Sequence, residues 1–330
     1  MARFPITAAR CTPGRCVLAL AASCAALAIV AGAVPAAATT PRQAHIYVSD
    51  PFGNAVRRYV LVDGVPASSP DAVIPARRPL GIALDWNNDV YVAESESGMI
   101  HVYRPSPHGM IRVHSLHLGY EPTYLAVDRG GYLFVSRENG DIQVYSSGFA
   151  WGRSLGRIPV PETQGLATDS AGRLYVLVTA AGIWTYDHPE AAPKRPDGFV
   201  KPTSSEHVFT GALAVDEHDE LFARFIPLLS GAWTQMDFAD VTGPPRIAPP
   251  LLTQDCHSGR EPGYTYGAAA GYGHLYVGCN TPGPAVYVYA EHAGGRRTAL
   301  ARISRELSSV AMIALDRATS STPWAFVRDR

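Results

Sequence analysis

The chain has 330 residues, 47% of them hydrophobic and 17% charged, with 28 Lys and Arg against 29 Asp and Glu. This content supports a large core and excludes an intrinsically disordered chain. The near-neutral balance, with no Lys/Arg-rich block, excludes an electrostatic footprint for nucleic acid. With 30 Gly and 27 Pro and no collagen period, many turns and few long helices are expected.

Residues 1–38 read as a secretory leader. Arg3, Arg10 and Arg15 precede an apolar run from Cys16 to Val34, followed by the small residues Pro35 to Ala38. A basic start, an apolar middle and a small-residue cut site are the marks of a cleaved signal peptide. The same run is long enough to span a bilayer, so an uncleaved membrane anchor is the alternative. Export, to the medium or the periplasm, is the expected localisation. Of the five cysteines, Cys11, Cys16 and Cys24 fall in the leader, leaving Cys256 and Cys279. In an oxidising compartment two remaining cysteines are expected to form one disulfide.

Residues 39–330 read as one domain of repeats. Pro79–Tyr103, Pro122–Tyr145 and Thr163–Tyr186 follow one plan, and Thr210–Phe225 and Thr265–Cys279 follow it less faithfully. The marker residues are Asp85, Asp128, Asp169, Asp216, Gly271 and Asp316, roughly 40–55 residues apart. Each copy opens with a short apolar strand such as Gly81–Leu84 and continues through a polar hairpin turn beginning at the marker. A second strand then carries a central aromatic: Tyr91, Phe134, Tyr175, Phe222 or Tyr276. A third alternating strand such as Ile100–Tyr103 and a weaker fourth such as Ile111–Leu118 complete the unit. Alternation of this kind predicts half-buried antiparallel strands.

Four-stranded units of this length around an axis predict a β-propeller. His45–Val48 matches a second strand whose first strand is missing, and Val310–Leu315 supplies it from the other end. The expected fold is therefore all-β, a six-bladed β-propeller in which N- and C-terminal strands close one blade. Closure removes exposed sheet edges, and the chain is expected to be a monomer.

The string P-x-G-I-A-x-D, a turn, V-Y-V-A-E-S and I-x-V-Y resembles the NHL repeat, best in the second and third copies, over nearly all of residues 44–316. The resemblance implies the fold more strongly than any chemistry. Six-bladed relatives include the gluconolactonase/senescence-marker family, whose divalent metal is held by Glu, Asn and Asp at the channel mouth. The positions equivalent to its key ligands are Leu80, Thr123, Gln164, Gly211, Tyr266 and Ala311, none of them Asn or Asp. No metal of that type, no cofactor and no catalytic residue is therefore expected.

In a propeller the loops entering the first strand and those joining second to third strand share one face, where ligands usually bind. On that mouth Thr123, Gln164 and Tyr266 are the expected ligand-binding residues, ringed by Glu94, Glu121 and Glu162 as solvated carboxylates. A Cys256–Cys279 bridge would pin the long 239–264 segment over the same mouth. Gly152–Gly156 fits G-x-S-x-G but precedes an outer strand, the wrong setting for a nucleophile. The expected function is an exported, non-catalytic module binding a protein, peptide or glycan. The alternative is a lactonase-like hydrolase or lyase without the usual metal ligands. Contact with a membrane is expected only through an uncleaved leader.

Overall fold

The computed structural model describes residues 43–137, 140–147, 151–178, 181–200, 207–227, 236–242, 246–247, 251–253, 267–280, 283–291 and 295–316. The leader, Cys256, Tyr266, Trp233 and the tail from residue 317 lie outside the described residues. Among the described residues no helix is long and apolar enough to cross a membrane.

Among the described residues the strands hydrogen-bond into six sheets. Blade one comprises Pro79–Leu84, Val90–Glu94, Met99–Ser106 and Gly109–His117, each strand antiparallel to the next. Blade two is Pro122–Val127, Leu133–Arg137, Ile142–Tyr145 and Ser154–Ile158. Blade three is Thr163–Thr168, Leu174–Val178, Gly182–Tyr186 and Gly198–Val200. In blade four, His207–Val215 pairs with Leu221–Pro227, then Met236–Thr242 and Leu251–Thr253. Blade five is Ala268–Gly271, His274–Cys279, Ala285–Ala290 and Ala301–Ile303. The 239–264 segment is thus partly sheet, not one long loop, because it supplies outer strands of blade four.

The sixth sheet joins the two ends of the domain. Ile313–Leu315 lies antiparallel to His45–Asp50, pairing Ile46 with Leu315 and Val48 with Ile313. Ala55–Val62 and Ala72–Pro75 follow outward. Where the two ends meet, Asp50 is fully buried. Its carboxylate accepts the N–H groups of Gly53, Ser308 and Ser309 and the Ser309 hydroxyl, at 2.8–3.0 Å.

Six apolar layers lie between consecutive sheets, and their membership explains the composition of the second strands. In Val90–Glu94, Val90 and Val92 pack toward blade six, whereas Tyr91 and Ala93 pack toward blade two. Side chains alternate across a strand, yet all five residues are buried. The middle strands are therefore buried on both faces rather than half-buried, because every blade is sandwiched between two others.

The marker aspartates close the first hairpin of blades one to four. Asp85 Oδ1 accepts the N–H of Asn87 and Asp89, and Asp169 and Asp216 repeat the arrangement. Tyr175, six residues on, donates its hydroxyl to Asp169 Oδ2 at 3.1 Å. Blades two and four carry Phe134 and Phe222 at that position and so lack the donor.

Asp128 shows one consequence. Burial pushes its carboxyl up to about 6 against the pull of the Tyr132, Gly130 and Gly131 N–H groups, and Glu190 adds to the rise. A raised pKa means that the folded state binds the proton more tightly than the unfolded chain. This stability is fully present below about pH 4 and is lost as pH rises through about 6. Asp128→Asn is expected to flatten that fall by about 2 kcal/mol, read from guanidinium unfolding at pH 4 to 7. A variant that keeps the parental pH slope would contradict this assignment.

Candidate functional site

The first strands of the six blades contact their neighbours in a closed ring and enclose a cavity of about 370 Å³. Its walls are aliphatic: Ile82 to Leu84, Leu125 to Val127, Leu166 and Ala167, Leu213 to Val215, Ala268 to Ala270 and Met312 to Leu315. The polar residues lining it sit where the first strands turn into the second: Ser170, Asp216, Glu217, Asp219 and Asp316, together with Trp86 and Tyr272. This mouth lies opposite the one favoured by sequence.

The other end of the ring shows why. There the backbones of neighbouring first strands approach closely at Gly81 and Gly267, which leave no room for a side chain. A Cβ on Gly81 would lie 2.6 Å from the Thr123 carbonyl oxygen, and one on Gly267 would lie 2.7 Å from the Met312 Cα. Alanine at either position would drive its methyl group into the neighbouring strand's backbone.

None of the described residues expected to bind ligand lines the cavity. Thr123 is half-buried and its hydroxyl engages the Ser136 hydroxyl at 2.6 Å, within its own blade. Gln164 is half-buried in the first strand of blade three. Glu121 and Glu162 are exposed, as solvated carboxylates. Glu94 is not: it is 6% exposed and accepts the Ser97 hydroxyl at 2.8 Å. His101 Nε2 stands 3.8 Å from Glu94 Oε2. The other ring nitrogen of His101 meets the Ser115 hydroxyl at 2.8 Å, and burial holds the imidazole below its ordinary pKa against the raising effect of Glu94. The reason is register: Glu94 ends the second strand and turns back against the third instead of facing the axis. Ser154, the candidate serine of G-x-S-x-G, lies exposed in an outer strand with its oxygen accepting from Gln143.

At the open mouth, neighbouring turns are tied together. The Ser170 N–H donates to Asp219 Oδ1 at 2.6 Å, and the Ser170 hydroxyl also donates to Asp219. Arg129 lies over the Trp86 ring at 5.3 Å. Asp216, Glu217 and Glu291 gather beside them. Burial, then Glu217 and Asp216, pushes the Glu291 carboxyl up to about 7. Burial also raises Asp216, with Glu220 and Glu217 adding. Sequence reasoning passed over these acids, although Phe222 at a tyrosine position already signals an aspartate left without its hydroxyl donor.

The NHL repeat model matches residues 77–103, the first two strands of blade one and most of its third. With the ring of sheets, that decides the fold. The chain is a β-propeller with an NHL repeat in its blade one. The propeller resembles the periplasmic gluconolactonase of Pseudomonas aeruginosa, at 14% identity and a TM-score of 0.54 over 83% of this chain and 99% of that one. It also resembles a functionally unknown protein from Desulfotomaculum acetoxidans, at 10% identity and a TM-score of 0.57, covering 82% of this chain and 98% of that one. A protein from Lactobacillus plantarum is similar at 12% identity and a TM-score of 0.53, over 84% and 86%. Likeness at these identities establishes the architecture. No curated protein matches the propeller in sequence.

Proposed function

We propose that this propeller is an exported, non-catalytic binding module whose channel receives an apolar side chain of a protein or peptide partner at the turn-side mouth. The observation that carries the reading is the cavity itself, about 370 Å³ with aliphatic walls. Concave, mostly apolar sites with a few polar groups at the entrance are what ligands bury against. Trp86, 38% exposed at the rim, is suited to anchor the segment, since aromatic side chains dominate binding hot spots. Export would let fully buried Cys279 pair with Cys256.

A peptide array carrying varied apolar residues, probed with the secreted protein, is expected to yield binders. Trp86→Ala should weaken the best of them about tenfold or more while the chain still unfolds cooperatively. Mass spectrometry of the secreted chain should show loss of the leader and no free thiol. Loss of binding on Thr123→Ala, with Trp86→Ala silent, would move the site to the opposite mouth. Turnover of lactones by the same sample would favour the hydrolase reading.

A further inference from the structure

The geometry points to a calcium-ion site formed by Asp216, Glu217 and Glu291 at the turn-side mouth, bridging blades four and five. The inference goes beyond the binding-module reading and does not rest on it. Asp216 directly follows the first strand of blade four, Glu217 begins the turn after it, and Glu291 directly follows the third strand of blade five. One carboxylate oxygen from each lies within 4.8 Å of the other two.

Clustered acids alone are common, and the enclosed oxygens set this group apart. Asp216 is 7% exposed, and its Oδ2 is shut off from water without a hydrogen-bond partner. Oε1 of Glu291 is enclosed and unpartnered in the same way. The usual turn bonds occupy only Oδ1 of Asp216, which accepts the His218 and Glu220 N–H groups at 2.9 and 2.7 Å. Backbone contacts hold the other two acids in place. The Tyr272 N–H donates to Glu217 at 3.0 Å, and the Glu291 N–H donates to the Gly273 carbonyl at 3.0 Å. Among the described residues, the lysines and arginines form their ion pairs with other acids and with none of these three.

An enclosed, unpaired carboxylate oxygen is costly, two of them lie here, and the three neighbouring carboxylates repel one another. A cation relieves both costs at once. Calcium takes oxygen ligands at about 2.3–2.6 Å, so two oxygens up to roughly 4.8 Å apart can share one ion, whereas magnesium at about 2.0–2.1 Å needs them closer. An all-carboxylate set suits a hard ion over zinc or copper. Glu217 is exposed, which leaves a route for the ion and for waters to complete its shell.

The test uses the full secreted chain, dialysed against EDTA and then titrated with calcium chloride or magnesium chloride. Calcium is expected to raise the melting temperature and give a saturable calorimetric isotherm, with magnesium clearly weaker. Glu291→Gln removes one of the repelling charges, so it should melt higher than the parent without calcium and bind the ion at least about tenfold more weakly. Glu217→Gln should likewise weaken binding, and Glu121→Gln, on the far side of the ring, should leave it intact. A parent chain indifferent to millimolar calcium would overturn the inference, leaving a shared proton as the solution to the crowding. It would equally be overturned if Glu291→Gln responded to calcium like the parent, or if Glu121→Gln lost the response.

Discussion

Removal of residues 307–330 is expected to abolish the cooperative unfolding transition and leave a chain that self-associates. The deleted segment carries Leu307, Val310, Met312 and Ile313, each at most 8% exposed. Each such side chain contributes about 1.5–3 kcal/mol by burial. Four of them rival the net stability of an ordinary domain, about 5–15 kcal/mol. The deletion also unpairs the inner edge of His45–Asp50, which now pairs with Ile313–Leu315, and a bare edge is a template for pairing between chains. Size-exclusion chromatography and a thermal melt check this. A truncated chain that runs as a monomer with the parental melting temperature would show that the last strand does not close the ring.

Asp50→Ala is expected to cost about 3–5 kcal/mol, since it strips a buried charged acceptor from several donors at once. The carboxylate lies at the junction of the two ends and gathers the Ser308 and Ser309 N–H groups at 3.0 and 2.8 Å and the Ser309 hydroxyl at 2.9 Å. Arg57 Nε, at 3.4 Å, balances its charge. Removing the acceptor leaves three backbone donors, of Gly53, Ser308 and Ser309, unsatisfied and loosens the segment that leads into the closing strand. Ser309→Ala, which removes one hydroxyl only, should cost about 1 kcal/mol. Guanidinium unfolding of both variants distinguishes the clasp from a contact of ordinary worth: equal, small losses would show that Asp50 is replaceable.

Much of the architecture is legible in the residues. The marker aspartates predict hairpins, and Asp85, Asp169 and Asp216 each close one by accepting two N–H groups. The orphan second strand His45–Val48 and the orphan first strand near Leu315 predict a shared sheet, which the pairing of Ile46 with Leu315 shows. These features are local or repeat at a fixed interval, so a linear reading reaches them. The candidate site was much less legible. Glu94 looks like a rim carboxylate from its place at a strand end, but it folds back to Ser97 and His101. A side chain's direction at a strand end depends on twist and on the packing of the next blade.

By itself, the sequence determined the repeat, the strand order, the hairpin chemistry and the joining of the two ends in one blade. These follow from turn-forming residues and from apolar alternation along the chain. Only the tertiary structure decided which mouth of the channel is open and which acids meet there. The open mouth depends on how closely the backbones of neighbouring blades approach at Gly81 and Gly267. The meeting of Asp216 and Glu217 with Glu291 depends on two adjacent blades being set side by side around the axis, a distance that no spacing along the chain encodes.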